Sequence, residues 1–136
     1  MKASKLSFRV AVVFAIAGFV MGIAMAATGN HSVMPAHAHL NLLGWVSMFL
    51  FGIYYRLHPS LDERPAARVQ IAVWTVGTIV LTIGVATYYL GHPNGQPAAA
   101  AGSIVVFGSL LHFATLVFRQ GEAGAPEVGW AREPGL

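Results

Sequence analysis

Four long apolar stretches constrain the fold of this chain more than any other feature. They cover approximately residues 8–27, 35–57, 69–90 and 98–118. A helix needs roughly 20 apolar residues to cross a hydrocarbon core of about 30 Å, so each stretch is long enough to span a bilayer. Charged residues make up only 10% of the chain, whereas soluble domains carry about 25%. The sequence therefore predicts a multi-pass membrane protein.

The apolar runs are continuous and lack the alternation, in segments of about ten residues, that barrel strands require. Helices satisfy all their backbone polar groups internally, which a segment in lipid must do. We therefore expect an all-α fold, a four-helix transmembrane bundle over residues 1–119. Residues 120–136 contain many Gly and Pro and few apolar groups, so we predict a loose cytoplasmic tail there.

The formal charges follow the predicted topology. Every Lys, Arg, Asp and Glu falls at one end of the alternating helices, and both loops at the other end carry no formal charge. This is the positive-inside pattern, and it predicts that both termini are cytoplasmic. The net charge of +3 and the pI of about 9.7 then reflect topology, and we expect no nucleic-acid partner. The stretch "AMAATGN" resembles a signal-peptide cleavage site, but we interpret the first apolar stretch as a retained span.

Histidines are concentrated at the predicted outer end. His31, His37, His39 and His92 lie in or beside its two loops, and imidazole is a common ligand of transition metals and of haem iron. Residues two apart on a helix differ by about 200°, so His37 and His39 can hold one metal only if His37 precedes the regular helix. Otherwise we expect His39 to face the bundle and His37 the loop or a neighbouring chain. Asn41 shares a helix face with His37 and can orient its ring.

His112 lies deep in the fourth apolar stretch. An ionisable group at that depth indicates a function by default, although a bond to a neighbouring backbone group is an equally simple explanation. His112 follows the start of its helix by roughly 22 Å of helix length, whereas His39 lies near the outer surface. A bis-histidine pair between the two therefore looks strained.

Other residue patterns have both a packing and a binding interpretation. Aromatic residues near the helix ends are predicted to anchor the protein at the membrane interface: Trp74, Tyr54, Tyr55, Tyr88 and Tyr89. Gly18 and Gly22 form a GxxxG pair that permits close helix approach. Further glycines would give either close packing or the clearance that a flat macrocycle needs: Gly44, Gly52, Gly77, Gly84 and Gly108. Met21, Met25 and Met34 suit either copper binding or core packing.

The second apolar stretch resembles the second helix of the catalytic subunit of haem-copper oxidases, most closely that of nitric oxide reductases. The matching features are His39, "NLL" (41–43), "FG" (51–52), "YY" (54–55) and Pro59. The chain is also similar to short four-helix membrane proteins with an HxHL motif at this place. In the oxidase family the matching histidine is an axial ligand of the low-spin haem b, and the resemblance implies that role for His39. The family's catalytic subunits have many more helices, so we do not expect complete oxidase or reductase activity from this chain alone.

These observations favour a small haem-binding protein of a bacterial-type inner membrane. It would bind haem b through His39 near the outer face, for electron transfer, gas binding or haem handling. The second axial ligand would be His37, His92, His112 or a histidine of another copy. One alternative is a copper-binding or oxidase-assembly factor that uses His31, His37 and His39. Another is a cofactor-free accessory subunit whose GxxxG face binds a partner helix. We expect a homo-oligomer or a subunit of a respiratory complex.

Overall fold

The computed structural model describes residues 1–123, with side chains through residue 120. It is all-helical. Four helices are long and apolar enough to cross a membrane: α1 (Ala3–Thr28), a second span over Met34–Leu57, α5 (Pro65–Tyr89) and the described part of α6 (Gly95–Ala123). The prediction of an all-α protein with four membrane-spanning helices is confirmed. Most of the predicted cytoplasmic tail, residues 124–136, lies outside the described residues.

The second span is not one regular helix. It consists of α2 (Met34–His39), a π-helical segment (Leu40–Ser47) and α3 (Met48–Leu57). Pro35 occupies the first turn of α2, where its missing N–H costs nothing. The non-helical backbone at His58 ends α3, and the short helix α4 (Pro59–Asp62) follows. The second span therefore changes its helical geometry directly after the histidine pair.

The closest packing lies between α5 and α6. A Cβ atom added at Gly84 would overlap the backbone of Ala98 and Ala99, and one added at Gly102 would overlap the backbone of Leu81. Glycines at these positions allow the two helix backbones to touch. The α5–α6 pair is thus a tight hairpin built on small residues.

The other helices pack in sequence across the molecule. α1 packs along the second span, and the second span packs against α5 on its other side. α6 lies beyond α5, has at most marginal contact with α1, and reaches the second span where Phe113 packs on Phe51 with ring centroids 4.6 Å apart. The four spans consequently do not enclose a central space.

Side chains from three helices bond to carbonyl oxygens in and beside the π-helical segment. The Ser47 hydroxyl donates to the Leu42 oxygen at 2.8 Å, the Trp74 indole to Leu43 at 3.0 Å, and Ser7 to Met48 at 2.5 Å. The wider turns of a π-helix disturb the regular backbone ladder, so such carbonyls need other donors in an apolar medium. Trp74 of α5 thereby ties the π-helical segment to its neighbour.

We expect Trp74→Phe to lower the free energy of unfolding by about 1 kcal/mol, because it removes a hydrogen bond and leaves the partly buried Leu43 oxygen without that donor. Trp45→Phe is the matched control, since Trp45 is 37% exposed and packs only its ring, against Phe19. The measurement is denaturant unfolding in micelles followed by circular dichroism. Equal losses for the two variants would contradict the role assigned to the indole N–H.

A buried polar chain joins three spans nearer the charged end. The Tyr55 hydroxyl donates to Gln70 Oε1 at 2.9 Å, the Gln70 amide donates to Ser109 Oγ at 3.3 Å, and Ser109 Oγ donates to the Gln70 carbonyl at 3.0 Å. Tyr55 and Trp74 are both buried and hydrogen-bonded inside the protein. The prediction that these two aromatics anchor the membrane interface is therefore wrong.

The charged groups gather at one end of the molecule, called here the charged end. Asp62 is buried and accepts from the Ser4 backbone N–H at 2.6 Å and from the Ser4 hydroxyl at 2.7 Å, so its carboxylate caps the first turn of α1. Lys2 and Glu63 form an exposed ion pair at 3.1 Å. The α4 turn thus holds the start of α1. The opposite end, with the loops after α1 and after α5, is called the uncharged end.

Candidate functional site

His39 occupies the last turn of α2, near the uncharged end. Its Nδ1 lies 2.7 Å from the Pro35 carbonyl oxygen, one turn earlier in the same helix. A carbonyl can only accept, so Nδ1 carries a hydrogen, and in the neutral ring the lone pair is therefore on Nε2. The ring is half-buried. His39 is consequently held in the tautomer that can bind a metal through Nε2.

His37 points to a different neighbour. A Cβ atom added at Gly22 of α1 would lie 3.2 Å from its Cε1, so the imidazole packs against α1. The Asn41 amide donates to the His37 carbonyl at 2.8 Å and lies 3.3 and 3.4 Å from the two ring nitrogens. Nearly equal distances put the amide against the ring and not in line with one nitrogen. Asn41 lies beside His37, as their shared helix face predicted, but its amide donates to the His37 carbonyl and not in line with one ring nitrogen. His37 faces α1 instead of a loop or another chain.

The GxxxG pair of α1 makes room for these two polar side chains. A Cβ atom at Gly18 would lie 2.6 Å from Asn41 Oδ1, and Gly22 lies against His37. The second span of the same chain therefore covers this glycine face. The expectation that the GxxxG face binds a partner helix is wrong for that reason.

The remaining predicted histidines lie on other elements of the fold than His39. His31 is exposed in the loop after α1, with Nδ1 3.1 Å from the Gly29 carbonyl, and His92 is exposed in the turn between α5 and α6. His112 is half-buried on α6 and follows Gly95 by about 25 Å of helix, whereas His39 follows Met34 by only about 8 Å. The structure does not bring His39 and His112 to one depth.

The described part of the chain contains no group of three or more His, Cys, Asp or Glu side chains placed to hold a metal ion. His31, His37 and His39 thus do not converge as the copper hypothesis requires. Met21 and Met25 do line a common cavity of about 190 Å³ at the uncharged end. Its other lining residues are Ala24, Thr28, Asn30, Ser32, Val33 and Leu90, none of them a histidine.

The space beside most of the glycines that were considered for a macrocycle is occupied by other side chains or helices of the same chain. Gly44 lies against Phe14 and Gly52 against Phe8, both within 3 Å of an added Cβ atom. Gly77 and Gly84 lie against α6 in the same way, whereas Gly108 faces open space. Close helix packing, the second interpretation of these residues, accounts for four of the five.

Two buried hydroxyls on α5 were missed by the sequence reasoning. Thr78 and Thr82 are almost fully buried, and among the described residues their Oγ1 atoms have no hydrogen-bond partner. Trp74 of α5 donates to the Leu43 carbonyl of the second span. Because the two helices are antiparallel, one turn forward along α5 corresponds to one turn back along the second span. Thr78, one turn after Trp74, therefore lies at the depth of His39, one turn before Leu43. The TxxxT spacing could have identified them, because it places both threonines on the same helix face as Trp74. An oriented imidazole and the unpartnered Thr78 hydroxyl thus lie at one depth, and the Thr82 hydroxyl lies one turn, about 6 Å, nearer the uncharged end.

The fold defines the class of this chain as an all-helical, multi-pass membrane protein in a lipid bilayer. No protein-family model matches the chain, and no curated protein and no solved structure matches it either.

Proposed function

We propose that this chain is a bacterial-type inner-membrane protein that binds haem b through Nε2 of His39, with both termini in the cytoplasm. The observation that carries the proposal is the 2.7 Å contact between His39 Nδ1 and the Pro35 carbonyl. Metal-binding histidines commonly donate their other ring N–H to a backbone carbonyl, which fixes both tautomer and orientation. The uncharged loops beside His39 suit a site at the periplasmic face.

The packing limits where a haem would fit. At the level of His39, the contact between α1 and the second span is filled by His37 and Asn41, which lie against Gly22 and Gly18. A macrocycle on His39 would therefore lie where the second span faces α5, with Thr78 at the depth of His39 and Thr82 one turn nearer the uncharged end. The His37 side chain packs against α1, and His112 lies deeper in the membrane-spanning part than His39. A second histidine that holds the haem would then be His92, or would come from another copy of the chain or from a respiratory complex.

Bound haem would supply one-electron chemistry, and the residues of this chain would hold and orient it. The uncharged end is open to soluble electron donors, so electron transfer beside a respiratory complex is the activity we propose. The basis for choosing this over a copper site is the lack of convergence of His31, His37 and His39 in the described part of the chain.

A cofactor-free accessory subunit is the second candidate. It is favoured by the outer face of α6, where Gly108 is open and His112, one turn further, is half-buried. A small residue beside a polar one suits contact with a partner helix in lipid. Under this candidate, His39→Ala would leave assembly with the partner intact.

Optical spectra of the detergent-purified protein, reconstituted with haemin and then reduced with dithionite, test the haem proposal. We expect a Soret band with sharp visible bands in the wild type and in the control His31→Ala, whose ring is exposed in a loop. His39→Ala should lose these bands because it removes the ligand. A wild-type preparation that takes up no haemin, or a His39→Ala spectrum identical to that of the wild type, would overturn the proposal.

A further inference from the structure

A cavity of about 710 Å³ opens at the charged end, between α1 and α3. Phe8 forms its floor, because the Phe8 ring packs over Gly52 and against Phe49 with ring centroids 5.0 Å apart. Arg56 follows Gly52 by one turn of α3, and Arg9 directly follows Phe8 on α1. The lining is mainly basic or apolar: Met1, Lys2, Ser4, Lys5, Phe8, Arg9 and Arg56. This groove combines an aromatic floor with cationic walls.

The positive charge in the groove is largely uncompensated by the side chains that the structure describes. Lys2 pairs with Glu63 at 3.1 Å, and the Asp62 carboxylate is bonded to Ser4. Lys5, Arg9 and Arg56 form no ion pair with any described carboxylate. Three like charges around one groove raise its positive potential and favour an anion.

The position of the groove indicates what carries that anion. Arg9 lies about 9 Å along α1 from Ala3, at the boundary between the charged end and the apolar part of the helix. Directly beyond it, Val12, Val13 and Ile16 are more than half exposed. An exposed apolar surface that continues from a basic groove in a membrane protein suits a molecule with an anionic head and apolar chains.

We propose that this groove binds the phosphate of an anionic phospholipid. Arg9 and Arg56 contact the phosphate oxygens from the two helices, Lys5 adds charge at the rim, and the acyl chains lie along the exposed face of α1. Arginine suits phosphate because its planar guanidinium donates two parallel hydrogen bonds. The site is independent of the haem proposal, since it lies at the opposite end of the second span from His39.

Lipid binding to the full-length protein in dodecyl maltoside, measured by native mass spectrometry, tests this proposal. We expect phosphatidylglycerol to bind more tightly than phosphatidylcholine. The double variant Arg9→Gln/Arg56→Gln should weaken phosphatidylglycerol binding about tenfold or more, since each basic residue near an anionic headgroup contributes about 1 kcal/mol. Arg64→Gln/Arg119→Gln is the matched control: it removes the same charge from exposed positions outside the groove and should bind like the wild type.

Three outcomes would overturn the proposal. They are equal binding of the two lipids, an equal loss in the control variant, and displacement of phosphatidylglycerol by millimolar inorganic phosphate as effectively as by added lipid. The last would assign the groove to a free anion. If the double variant does not fold, Lys5→Gln replaces it, because Lys5 is exposed; a threefold to tenfold loss is then expected, and unchanged binding contradicts the site.

Discussion

Gly84→Ala is expected to destabilise the protein by about 2–3 kcal/mol or to separate α6 from α5. The new Cβ atom would overlap the backbone of Ala98 and Ala99. Overpacking a close contact usually costs about 1–3 kcal/mol, and a backbone obstacle cannot rotate away as a side chain can. The hairpin of α5 and α6 must therefore open at this point, and the loss should fall at the upper end of that range.

Gly108→Ala is the control for this substitution. Gly108 lies on the same helix pair, but nothing lies within 4 Å of an added Cβ atom. The change should be neutral or stabilising by up to about 1 kcal/mol, because alanine has the higher helix propensity. Unfolding by sodium dodecyl sulfate in mixed micelles, followed by circular dichroism, measures both variants. Equal stabilities of the two would show that α5 and α6 are not in backbone contact.

Asp62→Ala is expected to cost about 3 kcal/mol. The buried carboxylate accepts two hydrogen bonds from Ser4 at the first turn of α1. Bonds to a charged group contribute about 1.5–3 kcal/mol each, and their loss would leave the Ser4 donors buried without that acceptor. The carboxylate also interacts favourably with the positive end of the helix dipole. Removing it should release the start of α1 from the α4 turn.

Glu63→Ala tests the same turn without the buried contact. Glu63 is exposed and pairs with Lys2 at the surface, where ion pairs contribute about 0–1 kcal/mol. Its loss should be small in the same unfolding experiment. If Glu63→Ala lowers the free energy of unfolding as much as Asp62→Ala does, then surface charge, and not the buried cap, holds the start of α1.

The number of spans and the gathering of charge at one end were predictable because both depend on local composition. Apolar runs such as residues 69–90 are read directly from hydropathy, and charged side chains avoid the hydrocarbon core wherever the chain folds. The orientation of His37 was not predictable. The direction of this side chain depends on which neighbouring helix has space for the ring, and that space lies beside Gly22 of α1. Thr78 and Thr82 became part of the candidate site only once Trp74 set the register of α5.

The sequence by itself determined that this is a four-span helical membrane protein with a polar, histidine-bearing uncharged end. Tertiary structure decided which glycines meet side chains and which meet backbone, which face of α1 is covered, and how far apart His39 and His112 lie. The physical reason is the range of the forces involved. Partition into lipid acts on each segment separately, whereas close packing depends on the shapes of two surfaces that are distant in the chain.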